Sequence, residues 1–320
     1  MGTGRLFGRV LGPVPVTKAA QTCGDADATA ARNQQIFPTM GLLLLSLTAA
    51  ATIPSVPVAP GVSLPLVSLG TGSGQHADVA AATKTWLGVG GRAIDTAYFY
   101  RDESDIAQGI AEAGVARGDI FITTKIMCGT YDKASAAIDS NLKQLSMASV
   151  NLTLIHFDKC YGAGSLDETW RALEDAHAAG KTDAIGVSNF NVADLRALKA
   201  KAAKVWPPAV NQCSLSVGYH DDATIRYCER EKITYMAYSP LCGGANGSSC
   251  HHGGVMSLPQ VQSIASSHNV SSAQVALKWI VQQGRPLATA VARADYAAED
   301  LDLWSWGALT DAEMATLSAI

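Results

Sequence analysis

Charge is scarce in this chain and carries no strong sign. Of 320 residues only 16% are charged, with 24 Lys and Arg against 28 Asp and Glu, where soluble chains average roughly 25%. A nucleic-acid binder needs a basic face, so that class of partner is excluded. The apolar run at 41–53 covers 13 residues, short of the about 20 that cross a bilayer as a helix, so no integral membrane span is expected. Seven cysteines, an odd number scattered without close pairs, make no disulfide framework. Metal-ligand spacing is missing as well. Cys250, His251 and His252 in the loop 243–254 are adjacent and point apart, whereas zinc takes three or four converging ligands, so no metal site is expected and the segment reads as a flexible loop. A full dinucleotide fingerprint is also absent, since Gly70-Thr-Gly-Ser-Gly74 lacks the third glycine at the right place. Disorder is excluded in turn by 48% hydrophobic residues.

Residues 1–60 stand apart. Positions 1–39 show no apolar period, and carry Arg5, Arg9, Lys18 and Arg32 against Asp25 and Asp27. The run 41–53 then resembles the apolar core of a signal peptide, with Ala49-Ala50-Ala51 as a small-residue cleavage site and Pro54, Pro57 and Pro60 beyond. Residues 1–60 are therefore expected to be a targeting leader or a disordered tail. Residues 40–53 would direct the chain to the secretory pathway or an organelle; without them the chain would be cytoplasmic. Asn246 and Asn269 are glycosylation acceptors on the secretory route, and Asn151 fits the pattern within an expected strand.

From 61 to 320 short apolar runs alternate with helical patterns. Runs at 66–70, 93–97, 120–125, 152–156, 184–188, 209–212, 234–238 and 287–291 are apolar along their length, as strands covered on both faces should be. Ser165-Leu-Asp-Glu168, Ser271-Ser-Ala-Gln274 and Thr310-Asp-Ala-Glu313 read as capping boxes. Gly114, Gly180 and Gly284 sit where helices should stop. Strand starts at 120, 152, 184, 209 and 234 are 32, 32, 25 and 25 residues apart, the length of one βα unit. Eight such units predict an α/β fold, a (β/α)8 TIM barrel behind an N-terminal leader segment.

In such a barrel the chemistry sits at the C-terminal strand ends. Asp95, Lys125, His156, Ser188 with Asn189, Gln212 and Tyr238 all fall there. One polar strand end is a cap as readily as a catalyst, but six together need another explanation. The order of motifs supplies it: IDTAYFYRDE at 94–103, FITTK at 121–125, LIH at 154–156, IGVSNF at 185–190, VNQ at 210–212 and AYSPL at 237–241. From about Val62 to Ile320 the chain resembles the aldo-keto reductases.

That resemblance implies an oxidoreductase that reduces an aldehyde or ketone with NADPH or NADH, the dinucleotide binding extended without a Rossmann fold. It places a catalytic tetrad on Asp95, Tyr100, Lys125 and His156, with Tyr98 the rival tyrosine. Tyr100 would be the general acid, its pKa drawn down by Lys125, which Asp95 holds in place; His156 would orient the carbonyl. Ser188, Asn189 and Gln212 would bind the carboxamide, and Tyr238 would stack on the nicotinamide. Ser239 and Leu241 would meet the diphosphate, Thr71 the nicotinamide ribose and Glu299 the adenine. The chain departs from the family where a 2′-phosphate is usually held: Ala290, Val291 and Tyr296 replace the polar and cationic residues, leaving Arg293. Asp102 and Asp158 replace an Asn and a Pro, and read either as solvated loop groups or as charges that retune the tyrosine. Gly72 stands where a large aromatic often lines the pocket, which implies a roomier entrance, and the chain carries almost no C-terminal tail. A small-molecule carbonyl substrate and a monomer are expected. The alternative from another class is a cofactor-binding or structural protein on the same barrel without turnover.

Overall fold

A computed structural model describes residues 53–72, 76–160, 162–202, 204–241, 254–291 and 293–320. The expected leader core at 40–53 and Asn246 lie outside these residues, save Ile53, as does most of the loop 243–254.

Eight parallel strands close into a barrel. They are β3 (Val67–Gly70), β4 (Ala93–Asp95), β5 (Phe121–Ile126), β6 (Val150–Ile155), β7 (Thr182–Ser188), β8 (Val210–Ser214), β9 (Thr234–Tyr238) and β10 (Leu287–Thr289). Each neighbours the next in sequence, and β10 pairs with both β9 and β3. Helices α1 (Val79–Gly88), α2 (Glu103–Ala113), α3 (Tyr131–Gln144), α4 (Leu166–Ala178), α5 (Val192–Lys199), α6 (Asp222–Glu231), α7 (Pro259–His268), α8 (Ser272–Val281), α9 (Ala294–Leu301) and α10 (Asp311–Ser318) complete the units. β5 is buried at every position, which is why its sequence, Lys125 apart, reads as an apolar and threonine run rather than an alternation.

Helix ends follow the local chemistry. Ser271 and Thr310 form full capping boxes. Ser165 caps Glu168 N–H but bonds the Glu168 carboxylate through its hydroxyl. Asn191 and Asp194 make a capping box that the S/T-based pattern does not find. Gly114, Gly180 and Gly284 have φ of 65°, 71° and 71°, the left-handed conformation that glycine adopts without a Cβ clash.

A hairpin crosses the expected boundary at 60. β1 (Ser55–Ala59) and β2 (Val62–Pro65) form an antiparallel hairpin whose turn spans that boundary. Leu64 is fully buried with Ala93, Phe121, Leu152, Ala209 and Val210. These lie at the starts of the barrel strands, so the hairpin plugs the N-terminal mouth. The three prolines hide the strand from a pattern search, because proline is unusual inside a sheet; a two-stranded hairpin has only edges, where it is tolerated.

A second correction concerns cysteine. Cys128 and Cys160 form a disulfide with Cα atoms 4.5 Å apart. Their 32-residue separation equals the strand-start spacing from 120 to 152, so they sit in near-equivalent places beyond β5 and β6. Proximity in the barrel replaces proximity in sequence. Closing a loop of this length stabilises by about 2–4 kcal/mol in the chain-entropy picture. Cys160→Ser is therefore expected to lower the urea midpoint, and a reductant should do the same to the parent but nothing further to the variant. An unchanged midpoint would show the bond to be dispensable. Asn151 sits in β6 with its amide tied to Arg117 and Asp183, while Asn269 is exposed at the end of α7.

Candidate active site

The sheet register brings the strand-end groups together: Asp95 pairs with Thr123, Lys125 with Leu154 and Ser188 with Gln212. Lys125 is 1% exposed and gives Nζ to Asp95 Oδ1 at 2.5 Å and to the Thr96 carbonyl at 2.9 Å. The Asp95 carboxylate takes a second donor, Gln212 Nε2, at 2.6 Å. An ammonium and a carboxylate can be buried together only with such partners; the Lys125 ammonium is held above its usual range, desolvation being outweighed by Asp95 and Tyr100.

Tyr100 follows β4 in a short 3₁₀ turn, Tyr98–Tyr100. Its ring centroid lies 5.2 Å from Lys125 Nζ and 5.4 Å from the His156 ring. Tyr98, the rival, is 41% exposed and makes neither contact. Burial raises the Tyr100 pKa, and the Lys125 attraction opposes this without reversing it, because Asp95 and Asp102 repel a phenolate. The expected lowering is thus overturned: the phenol keeps its proton at neutral pH. Asp102 is no solvated loop group, since it is buried and accepts from Thr96 Oγ1 at 2.6 Å. Asp158 is half-buried. Gly72 does not widen the entrance. A Cβ there would fall 2.2 Å from the Tyr100 ring, so the missing side chain makes room for that ring.

His156 stacks on Phe157 at 4.3 Å and meets the edge of Phe99 at 6.4 Å. Burial, with Lys125 adding to it, pushes its pKa down to about 3, so the imidazole is neutral. Its Nδ1 is buried with no hydrogen-bond partner among the described residues. Between pH 6.5 and 3 the unfolded imidazole binds a proton that the folded one refuses, so this residue makes stability fall as pH drops through that window. Glu103 and Asp300, both raised to about 7 by burial, act in the opposite sense. His156→Gln should therefore lose less thermal stability between pH 7 and 5 than the parent; an equal loss would assign the effect elsewhere.

These groups floor a cleft of about 1150 Å³. Asp95, Tyr100, His156, Ser188, Asn189, Gln212, Tyr238, Ser239, Leu241 and Glu299 line it. Asn189 donates Nδ2 to the His156 carbonyl at 2.9 Å and to Ser188 Oγ at 3.0 Å, and accepts from Tyr238 Oη at 2.7 Å. Asn189 and Ser239 hold φ of 65° and 51°, a cost of order 1–3 kcal/mol each that persists at functional sites. Thr71 turns its hydroxyl to the Asp95 carbonyl at 3.4 Å, and Gly70 and Gly72 line the cleft beside it. Lys125 lies beneath the lining, and Arg293 outside it, ion-paired with Asp295. Phe99, Phe157, Met256 and Asp300 also line the cleft; of these, Phe99, Phe157 and Asp300 adjoin expected site residues, whereas Met256 carries no signal in one sequence. The disulfide ties the segments that follow Lys125 and His156.

The aldo/keto reductase family model matches residues 66–320. The chain belongs to the aldo/keto reductase family. It is 32% identical over 249 residues to a glycerol 2-dehydrogenase (NADP(+)) of Saccharomyces cerevisiae, covering 70% of this chain and 78% of that protein. It is 36% identical over 231 residues to a glyoxal reductase of Bacillus subtilis, covering 70% and 77%. A solved aldo-keto reductase of Bombyx mori in complex with NADP superposes with a TM-score of 0.78 at 28% identity, covering 84% of this chain and 93% of that one. The barrel and an oxidoreductase chemistry follow from membership.

Proposed function

We propose that the protein reduces an aldehyde or ketone to an alcohol with a reduced nicotinamide dinucleotide, Tyr100 delivering the proton. The observation that carries this is the buried chain Gln212–Asp95–Lys125 beneath a protonated Tyr100 and a neutral His156, all at one end of the cleft.

The donor set fits a nicotinamide. Ser188 and Asn189 bring a hydroxyl and an amide to one strand end; the hydroxyl donates to the Gln212 carbonyl at 2.8 Å, and the Tyr238 phenol fixes the Asn189 amide against rotation. The Tyr238 ring gives a flat apolar face beside them, while Ser239 and Leu241 continue the cleft towards Glu299. The cofactor, when bound, supplies the hydride that reaches the carbonyl carbon. The rest is done by the chain. Neutral His156 donates a hydrogen bond to the carbonyl oxygen without competing for its proton. As negative charge grows on that oxygen, the Tyr100 phenol passes its proton across. Lys125 then faces the phenolate left behind, and the Asp95 carboxylate holds the ammonium in place. Phe99 and Phe157 line the cleft beside the His156 ring.

Nicotinamide oxidation with a panel of aldehydes and ketones tests the proposal. Turnover of at least one carbonyl is expected; tight cofactor binding with none turned over would favour the non-enzymatic alternative.

Entry into an oxidising compartment is part of the same proposal. The disulfide and the signal-like run at 41–53 support it. Among the described residues no helix is long and apolar enough to cross a membrane. The N-terminal sequence of the protein recovered from its native source is expected to begin beyond 51; an intact residue 1 would overturn targeting by that run.

A further inference from the structure

Cationic side chains are missing from the cleft. Among the described residues none of its lining groups is Lys or Arg, whereas Asp95, Glu299 and Asp300 are carboxyl groups. The sequence of the loop 242–253 contains no Lys or Arg either. A dinucleotide diphosphate can be carried by backbone N–H groups and hydroxyls, but a further phosphate ester adds up to two charges at one place. Such a group is normally held by a guanidinium or ammonium through charge-assisted bonds.

Arg293 is the cation nearest in sequence to the α9 part of the lining, and it is already engaged. Its Nε donates to Asp295 Oδ1 at 2.9 Å, Nη2 donates to Asp295 Oδ2, and the guanidinium lies 4.6 Å from the Tyr296 ring centroid. Both pair members are more than half exposed, so the pair itself is weak. What matters is the sum of charge. An anion reaching Arg293 must also approach Asp295, one turn from Glu299 on the same helix. Asp295 further occupies the first turn of α9, where its charge answers the helix dipole that would otherwise favour a phosphate.

We propose that the cleft selects NADH over NADPH, with Asp295 as the charge that disfavours a 2′-phosphate and no lining cation to offset it. The proposal rests on reading the cleft as a nicotinamide dinucleotide site. A carboxylate repels a phosphate ester that has no cation beside it, and leaves a free hydroxyl undisturbed. Discrimination then resides in α9 and not in the catalytic cluster, and it concerns binding before any chemistry.

Quenching of tryptophan fluorescence in the full chain by NADH and by NADPH gives the two dissociation constants without a substrate. NADH is expected to bind at least about tenfold more tightly, the size of one lost charge-assisted contact. Asp295→Asn removes a surface charge and leaves the fold alone. It should tighten NADPH severalfold and leave NADH within about twofold. Equal or tighter NADPH binding by the parent would overturn the proposal, as would an unaltered ratio in Asp295→Asn; in both cases the carbonyl-reductase reading stands. Failure of both dinucleotides to bind would overturn the two together.

Discussion

Tyr100→Phe is expected to slow carbonyl reduction by about 10²–10⁴-fold, the range of one positioned proton donor, with dinucleotide dissociation constants within about twofold of the parent. The substitution deletes one oxygen. The ring still fills the space that Gly72 vacates and still meets His156 edge-on, so the barrel and the cleft keep their shape. Rates with an aldehyde, set beside fluorescence titrations of the cofactor, separate the two effects. If Tyr98 were the acid, Tyr100→Phe would stay active; the exposure of Tyr98, and the contacts of Tyr100 with Lys125 and His156, argue against that.

Lys125→Met carries the largest expected cost in stability. It leaves the Asp95 carboxylate 4% exposed with Gln212 as its remaining side-chain partner. Removing one member of a buried ion pair costs about 3–5 kcal/mol, which for a domain of this size lowers Tm by roughly 10 °C. Asp95→Asn added to it should recover much of the loss, because the orphaned charge disappears. Thermal unfolding of the parent, the single and the double variant checks this. A single variant as stable as the parent would mean that the pair contributes nothing to folding. Neither variant is expected to reduce carbonyls, since both remove the charge that faces the Tyr100 oxygen.

Much of this was legible in sequence because a barrel repeats. Strand runs buried on both faces, one βα unit apart, mark the eight strands, and the polar residues at six strand ends mark the site. Asp95, Tyr100, Lys125 and His156 could be named on those grounds and the family motifs. What escaped detection depends on contacts between distant segments. The β1–β2 hairpin is proline-rich and looks like a leader, yet Leu64 seals the barrel floor. The Cys128–Cys160 bond appears only once β5 and β6 lie side by side. The sign of the Tyr100 shift depends on burial against charge: Lys125 alone argues for a lowered pKa, but desolvation, Asp95 and Asp102 together win. Gly72 likewise reads as empty space until the Tyr100 ring is found in it.

The central claim is transfer of hydrogen from a nicotinamide to a carbonyl carbon, with the proton from Tyr100. The most direct measurement is mass spectrometry of the alcohol formed when dinucleotide deuterated at the nicotinamide C4 is mixed with the protein and an aldehyde that it turns over. Deuterium on the carbinol carbon of the product, formed by the parent and nearly lost in Tyr100→Phe, is the predicted result. Alcohol without label, or labelled alcohol formed equally well by Tyr100→Phe, would contradict the account.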